Sequence, residues 1–425
     1  SQQQFLATLA LFRGGFSVVE AEAVADTPDA RERLETLVAD SLITLTELLD
    51  GSLRYGLLET VREFVLPRLM GAEEARRQFR RWFIQHPSFE ENTAVAWEYA
   101  LDDNDASDAY ALATMPRRDW TGQLGVERAR EFFEKTLELP APTPKARMYA
   151  MHALAECYLR NVNRKGAMEL MAEAVKPLED TPNELLAEAL YHQAHIGLYD
   201  APRDETLALL ERCLSLTTDS YVRAEALRIK GCLLLWTPDY ESAEALFDEA
   251  HTLYPPIDPG QLRLWNHRAH LARRRGDFAE SLRLYQLSAE QARRHGDGIL
   301  VRNSESNLSD ILSCLGRYEE AVEAGRACLR TEETHGDRHL MICILWNMAG
   351  PFMGVGEHVR AARLMAACSK LWVTLVRPLS EDDIEDLNAV RRELSNALDQ
   401  ATINRLWAEG ELLTLQEALA LAHGD

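Results

Sequence analysis

Several marks of common protein classes are missing from this sequence of 425 residues. No apolar run approaches the roughly 20 residues of a membrane span, and the first residues lack the pattern of a signal peptide. The Gly-x-x-x-x-Gly-Lys-Ser/Thr loop that holds a triphosphate is absent, as are the Gly-x-Ser-x-Gly and His-Glu-x-x-His motifs. We therefore expect a chain with no catalytic residues, no nucleotide site of its own and no membrane association.

Cysteine pairs at metal-binding or redox spacing are also missing. The seven cysteines are scattered, odd in number and never spaced Cys-x-x-Cys. This usage predicts buried thiols in a reducing cytoplasm and no disulfide framework. His192 and His195 stand three residues apart on a predicted helix, where they share a face. No Cys, His or acidic residue stands at metal spacing close to them in the sequence, so we predict no metal site.

Positive charge is scarce. The sequence has 68 acidic and 46 basic residues, which gives a net charge of −22. Such a surface repels phosphate backbones, so we expect no nucleic-acid partner for the chain as a whole. Acidic pairs such as Asp102-Asp103 stand in turn-like or helix-capping contexts, and we interpret them as solvated charge rather than as catalytic acids.

What the sequence does have is one short phrase, repeated between Trp120 and Ala367. Its clearest copy is residues 315–321, Leu-Gly-Arg-Tyr-Glu-Glu-Ala, and the positions equivalent to Tyr318 are 240, 278 and 358. Successive copies are therefore 38, 40 and 40 residues apart. A fixed period of this size predicts a solenoid of helix pairs, in which each pair buries its apolar face against its neighbours. The phrase resembles the tetratricopeptide repeat in a form longer than the usual ~34 residues, and such arrays generally bind partners.

The first 70 residues have a different pattern. Three short helical segments are followed by two strand-like segments around Asp50-Gly51, a hairpin signal, and then by a closing helix from Leu58. Ser17 with Glu20 three positions on forms a predicted capping box. This order predicts a winged helix. DNA binding is nevertheless disfavoured, because residues 1–70 hold six Arg, no Lys and eleven acidic residues, whereas a recognition helix needs a positive face.

These N-terminal segments, with others further along, resemble the bacterial STAND regulatory ATPases, which are signal-transduction ATPases with numerous domains. The resemblance is carried by residues 9–17, 37–43, 54–64, 91–101, 361–367 and 406–418. It implies that the winged helix follows a nucleotide-binding domain and helps to hold that domain closed over ADP. ATP or ADP and Mg²⁺ would then bind upstream, and the isolated start at Ser1 and the stop at Asp425 suggest a segment of a longer protein.

The resemblance also assigns a contact with the nucleotide-binding domain, and here the sequence departs from the family. Many relatives have a Met-His-Asp or Phe-His-Asp triplet whose histidine senses the β-phosphate of the nucleotide. The matching residues are Leu57, Leu58 and Glu59, so a leucine stands in place of the histidine. Leucine cannot donate a hydrogen bond to phosphate. Either nucleotide is sensed differently, or these three residues, which we call the latch residues, act mainly by packing.

A ligand-binding strip is predicted from helical phase within the repeats. Positions 15, 11 and 8 residues before each aligned copy share one helix face, and in three successive repeats this face is polar. The predicted binding residues are Arg263, His267, His270, Asn303, Asn307, Asp310 and Asn347. Trp236, Trp265 and Trp346 fall on nearby turns, where packing between helices is the simpler role for the first two. The polar strip would suit either a small inducer or a partner peptide.

The sequence thus predicts an all-α chain: a winged helix (residues 1–70), a helical bridge with a first irregular repeat (71–118), about seven tetratricopeptide-like repeats (119–370) and a helical cap (371–425). Ser380 and Thr414 are the predicted caps of two helices in the last segment. The favoured function is the signal-sensing, autoinhibitory region of a STAND ATPase. A protein-interaction scaffold and a DNA-binding repressor are the alternatives. A closed pocket at the strip would favour a small inducer, and an open channel a peptide.

Overall fold

The all-α prediction is confirmed, because helices dominate the computed structural model and the sheet has only two strands. The chain divides into two compact units: unit 1 comprises residues 1–118 and 131–150, and unit 2 comprises 119–130 and 151–425. The predicted boundaries at 70 and 370 fall inside these units and stay predictions. The structure describes residues 1–47, 52–86, 91–115, 120–180, 183–198, 201–235, 237, 239–255, 259–376, 378–379 and 381–424.

Unit 1 begins with the predicted order of three helices, two strands and a helix. The elements are α1 (Gln2–Leu9), α2 (Val18–Ala25), α3 (Ala30–Ala39), β1 (Ile43–Glu47), β2 (Leu53–Leu57), α4 (Glu59–Val65), a 3₁₀ turn (Leu66–Arg68), α5 (Ala72–Gln85), α6 (Glu91–Asp102) and α7 (Ala106–Ala113). The capping box at Ser17 and Glu20 is present and fixes the start of α2.

The two strands form an antiparallel pair in which Ile43 lies opposite Leu57. Phe16 forms a further bridge with Tyr55, and the two rings stack with centroids 6.1 Å apart. This bridge ties the hairpin to the segment between α1 and α2. The Asp50-Gly51 turn signal lies outside the described residues.

The core of unit 1 is aromatic, and a buried ion cluster stands beside it. Phe12 packs edge-on against Phe79 of α5, with centroids 5.0 Å apart. On the same helix the buried guanidinium of Arg80 donates hydrogen bonds to three carboxylates, those of Asp103, Asp105 and Asp108. Burying an arginine is costly unless its donors are satisfied, and three acceptors from α7 and from the connection between α6 and α7 satisfy them here.

Unit 2 is an array of antiparallel helix pairs. Helices α9 (Val126–Glu138) and α10 (Pro144–Arg160) each run from one unit into the other. The remaining elements are α8 (Trp120–Leu124), α11 (Arg164–Val175) with a 3₁₀ turn (Lys176–Leu178), α12 (Glu184–Ile196), α13 (Arg203–Leu216), α14 (Ser220–Leu234), α15 (Tyr240–Leu253), α16 (Pro259–Arg274), α17 (Phe278–His295), α18 (Gly298–Ser306), α19 (Leu308–Cys314), α20 (Tyr318–His335), α21 (Arg338–Gly354), α22 (His358–Leu371) with a π-helical turn (Trp372–Val376), α23 (Glu381–Leu394), α24 (Gln400–Gly410) and α25 (Leu415–His423).

The repeated phrase marks the turn between the two helices of a pair. Positions 240, 278, 318 and 358 are the first residues of α15, α17, α20 and α22. Two residues before the last three of these, Gly276, Gly316 and Gly356 have φ values of +79°, +75° and +84°. This left-handed conformation is unfavourable for residues with a Cβ, so the turn that reverses the chain accounts for the repeated glycine.

The last three helices cover the end of the array. Residues such as Leu394, Ile403 and Leu406 join the same apolar cluster as the residues of α21 and α22. The capping box of Thr414 and Glu417 at the start of α25 is present, whereas Ser380 lies outside the described residues. Terminal repeats must cover their outer apolar face in this way.

The cysteines are mostly placed as predicted. Five are buried, but the expectation of a buried thiol is wrong for Cys314, which is exposed at the end of α19, and Cys343 is half-buried. All seven are free thiols. Among the helices of the described residues, none is long and apolar enough to cross a membrane.

Candidate ligand-binding face of the repeat array

The predicted strip lies on the first helices of successive pairs in unit 2. Three of its residues are on α16, three on α18 and α19, and Asn347 is on α21. All seven are half-buried, so they belong neither to the core nor to the fully solvated surface. Together with the polar residues on the first helices α10, α12 and α14, we call this surface the polar face.

The charged groups of the polar face influence one another across several helix pairs. The charge of Arg263 on α16 acts on the pKa of His152 on α10, three helix pairs earlier. Likewise burial lowers the pKa of His267 on α16, and the charge of His195 on α12 adds a small further lowering. These effects on the pKa place the charged groups of the polar face within electrostatic range of one another.

A buried hydrogen-bonded chain lies at the centre of this face. Glu225 accepts hydrogen bonds from Arg228 and from the Tyr254 hydroxyl, each at 2.7 Å. Burial alone would raise the pKa of Glu225, but Arg228 and Arg263 lower it to about 2. Arg228 Nη1 lies 2.9 Å from His267 Nε2. Burial and Arg228 hold the pKa of His267 well below its ordinary value, so the neutral ring accepts this hydrogen bond.

Arg263 has no such direct partner. Within the described part of the chain, no residue forms an ion pair or hydrogen bond with its half-buried guanidinium. Burial would lower its pKa, but Glu225 and Asp297 act from longer range and raise it. The polar face therefore carries a fixed positive charge whose donors are available to a ligand.

The third predicted residue of α16, His270, lies in a polar patch of its own. Its ring packs edge-on against Tyr285, with centroids 5.4 Å apart. Arg273 donates a hydrogen bond to Asp310, another predicted residue, on α19. Burial, with a smaller contribution from Arg273, lowers the pKa of His270 to about 4. His270 is therefore neutral near neutral pH.

Two asparagines of the polar face form hydrogen bonds to backbone carbonyls. Asn307 stands where α18 ends and α19 begins, and its Nδ2 donates to the carbonyl of Asn303 at 2.7 Å. Asn347 Nδ2 donates to the Ser306 carbonyl at 3.3 Å. The sequence indicated no helix break at this point. Neither asparagine Oδ1 has a hydrogen-bond partner among the described residues, which leaves two acceptors for a ligand.

A second cluster of polar side chains, which the sequence did not predict, lies on α10 and α12. His195 Nδ1 lies 3.3 Å from Glu156 Oε1, and His152 Nε2 lies 3.7 Å from the same oxygen. Burial lowers the pKa of His152 to about 4. For Glu156, burial opposes ionisation, but its contact with His195 lowers the pKa. The repeat period could have indicated this cluster, because His152 and His192 are 40 residues apart in the sequence. In the structure their ring centroids lie 3.9 Å from each other.

The array is closed by contacts between its early and late helices. Arg160 at the end of α10 forms an ion pair with Asp337, the cap residue of α21. Arg164 Nη2 lies 2.9 Å from His339 Nε2. These contacts join helix pairs that are five pairs apart in the chain.

The predicted latch residues lie in unit 1 at the end of β2 and the start of α4. Leu57 pairs with Ile43, and Glu59 forms an ion pair with Arg62. Leu58 is 45% exposed, and Phe64 on the same helix is 62% exposed. The latch region therefore offers apolar surface rather than a phosphate-binding donor.

Comparisons with known proteins agree with this architecture. Residues 260–334 match the tetratricopeptide repeat family, and no curated protein matches the sequence. A STAND protein with a tetratricopeptide repeat sensor from Pyrococcus horikoshii is 15% identical, with a TM-score of 0.52 over 96% of this chain and 65% of its own length. This chain therefore spans slightly less than two thirds of that protein.

Two further structures are more distant. A Rap protein in complex with competence and sporulation factor is 15% identical, with a TM-score of 0.47 over 80% of this chain and 93% of its own. Yeast Tom70 is 15% identical, with a TM-score of 0.40, and the match covers 92% of this chain and 79% of Tom70. The family match is confined to residues 260–334, and the chain shares an all-α repeat fold with the STAND protein from Pyrococcus horikoshii.

Proposed function

We propose that this chain is the signal-sensing and autoinhibitory region of a STAND-type regulatory ATPase. Unit 2 senses the signal on its polar face. The winged helix in unit 1 acts on a nucleotide-binding domain that precedes Ser1. ATP or ADP and Mg²⁺ bind to that upstream domain, and the chain itself has no catalytic role. The resemblance of the N-terminal segments and the fold shared with the archaeal STAND protein support this proposal.

The ligand on the polar face is a small anion, and the observation that carries this assignment is Arg263. A half-buried guanidinium without a direct acceptor loses part of its hydration, and among the described residues no hydrogen bond replaces it. A carboxylate or phosphate would supply a charge-assisted, bidentate hydrogen bond. The Oδ1 atoms of Asn307 and Asn347 would accept hydrogen bonds from the polar groups of the same ligand.

Ligand binding would control the nucleotide-binding domain through a shift between two states. A ligand changes such an equilibrium only by the difference between its affinities for the two states. In the resting state, Leu58 and Phe64 pack against the nucleotide-binding domain, and their exposure in unit 1 supports this role. Ligand binding to unit 2 favours the released state, in which ADP exchanges for ATP.

The test is the coding sequence immediately upstream of Ser1, read to its start codon and expressed with residues 1–425. We expect a domain with a Gly-x-x-x-x-Gly-Lys-Ser/Thr loop. We also expect Leu58→Asp, which places a charge on the packing surface, to accelerate the release of ADP. The exposed substitution Leu412→Asp on the cap is the matched control. An upstream domain that binds no nucleotide, or equal ADP release in both variants, contradicts the proposal.

A further inference from the structure

We propose that His152, Glu156 and His195 form a binding site for a divalent transition-metal ion, with zinc as the best-fitting class. This site is separate from the regulatory role proposed above and does not depend on it. Two imidazoles and one carboxylate are the ligand set of many zinc sites, in which three protein ligands leave a further position open.

The local fold brings the three side chains together. His152 and Glu156 are four residues apart on α10, so they share one face of that helix. His195 reaches the same point from α12, and the three donor atoms all lie within 4.8 Å of one another. In a tetrahedral zinc site with bonds of about 2.0–2.1 Å, neighbouring ligand atoms lie roughly 3.4 Å apart. The 3.3 Å and 3.7 Å separations at Glu156 Oε1 are already close to this value.

Unsatisfied polar atoms give independent support. Both His152 Nε2 and Glu156 Oε1 are buried, and among the described residues neither has a hydrogen-bond partner of normal geometry. Most buried polar side-chain atoms have such a partner, because leaving one without costs about 1–3 kcal/mol. A metal ion bound between them would satisfy both atoms.

The charged and polar groups around the site limit which class of metal ion it can bind. Glu156 supplies a negative charge, while Arg263 acts on His152 and opposes a cation. Nitrogen ligands with a single carboxylate suit zinc better than calcium or magnesium, which prefer sites made of oxygen. The three side chains are half-buried on the polar face, and three protein ligands leave a further coordination position open. Water or a small anion completes the coordination there.

The experiment measures metal binding directly. Residues 1–425 are stripped with a chelator and titrated with Zn²⁺ by calorimetry, and with Co²⁺ while its visible absorption is recorded. We expect one equivalent of Zn²⁺ and a Co²⁺ spectrum of tetrahedral type. Glu156→Gln, His152→Ala and His195→Ala should each weaken Zn²⁺ binding by at least about tenfold, since even the loss of a residue that only supports a ligand has an effect of this size.

Two histidines serve as controls. His251→Ala removes an exposed histidine on α15, and His295→Ala removes an exposed histidine at the end of α17. Both should bind Zn²⁺ like the parent. The melting temperature of each metal-free variant identifies any loss of folding. His195→Ala and Glu156→Gln are the least disruptive changes. The side chain of His195 is 38% exposed, and Gln is nearly isosteric with Glu.

Two outcomes overturn the site. One is the absence of one-to-one Zn²⁺ binding to the parent chain. The other is unchanged binding in folded Glu156→Gln and His195→Ala. Zn²⁺ should also raise the melting temperature of the parent and not that of Glu156→Gln. None of these measurements involves nucleotide or the upstream domain, so failure here is distinguishable from failure of the proposed regulatory role.

Discussion

Arg160 and Asp337 are 177 residues apart in the sequence and form an ion pair in unit 2. Their side chains are only 11% and 2% exposed. Asp337 also accepts a hydrogen bond from the backbone of Leu340 and so caps α21. The contact closes the repeat array at the first turn of a helix whose own start depends on the same carboxylate.

The first prediction concerns the ion pair between Arg160 and Asp337. Arg160→Met keeps the apolar stem but leaves the Asp337 carboxylate buried without its cation. Removing one partner of a buried ion pair costs about 3–5 kcal/mol, and we expect a loss of stability in this range. Urea unfolding of unit 2, followed by circular dichroism, measures it.

The exposed residue Arg203 at the start of α13 provides the control for closure. Arg203→Met should stay within about 0.5 kcal/mol of the parent. Equal unfolding midpoints for the Arg160 and Arg203 variants would show that the closing contact does not form in solution.

The asparagines of the polar face give a second prediction. Asn347→Ala removes the hydrogen bond to the Ser306 carbonyl, and Asn307→Ala removes the one to Asn303. Each should lower the free energy of unfolding by about 0.5–1.5 kcal/mol, the net value of one hydrogen bond. Ligand affinity should fall by roughly 5- to 150-fold, because a buried ligand group loses its acceptor.

Thermal denaturation and ligand titration of the same variants separate these two effects. Asn404→Ala on α24, away from the polar face, should change neither the melting temperature by more than a small amount nor the affinity. Complete unfolding of both polar-face variants would assign the asparagines a purely structural role. Unchanged affinity in folded variants would have the same meaning.

A third prediction follows from the pKa of His270, which is lowered from 6.5 to about 4. Between these values the unfolded chain binds a proton that the folded chain does not. The stability contributed by the neutral ring is therefore complete above pH 6.5 and is lost as the pH falls toward 4. His270→Gln removes this titration, so its stability should fall less steeply over the same window.

Chemical unfolding at a series of pH values between 6.5 and 4.5 checks the sign of this effect for His270. Carboxylates elsewhere contribute equally to the parent and the variant, so the difference between the two curves isolates the histidine. Parallel curves would mean that folding does not change the pKa of the ring.

A fourth prediction concerns nucleic acid. Arg33 on α3 is engaged by Asp29 at 2.9 Å, and exposed Arg31 stands beside Glu32 on an acidic segment. We therefore expect no mobility shift of duplex DNA by this chain at physiological salt. A salt-sensitive shift that Arg31→Glu abolishes would favour the repressor alternative.

Much of the fold follows from local patterns. The period of about 40 residues depends on a turn that requires glycine at positions such as Gly316, and a single sequence displays that requirement. Helical phase likewise placed the strip residues on the first helices. Both inferences use spacing within one helix or between adjacent helices, where geometry is nearly fixed.

The parts that escaped prediction depend on contacts between helix pairs. Glu156 and His195 come from neighbouring pairs in a region where the repeated phrase is weak, so sequence distance concealed their proximity. The ion pair of Arg160 with Asp337 depends on small rotations accumulated over five helix pairs. The break at Asn307 had no proline or glycine to mark it.

Binding of small anions to the polar face is the most direct test of the proposed sensor function. Native mass spectrometry of residues 1–425 with a library of small carboxylates and phosphates should find a ligand bound in a one-to-one complex. Arg263→Gln should weaken that ligand by about 10- to 150-fold, the value of a hydrogen bond to a charged group. Arg283→Gln, an exposed arginine on α17, should not. Equal affinity in both variants, or binding of long peptides alone, would contradict the assignment of the polar face as a small-anion sensor.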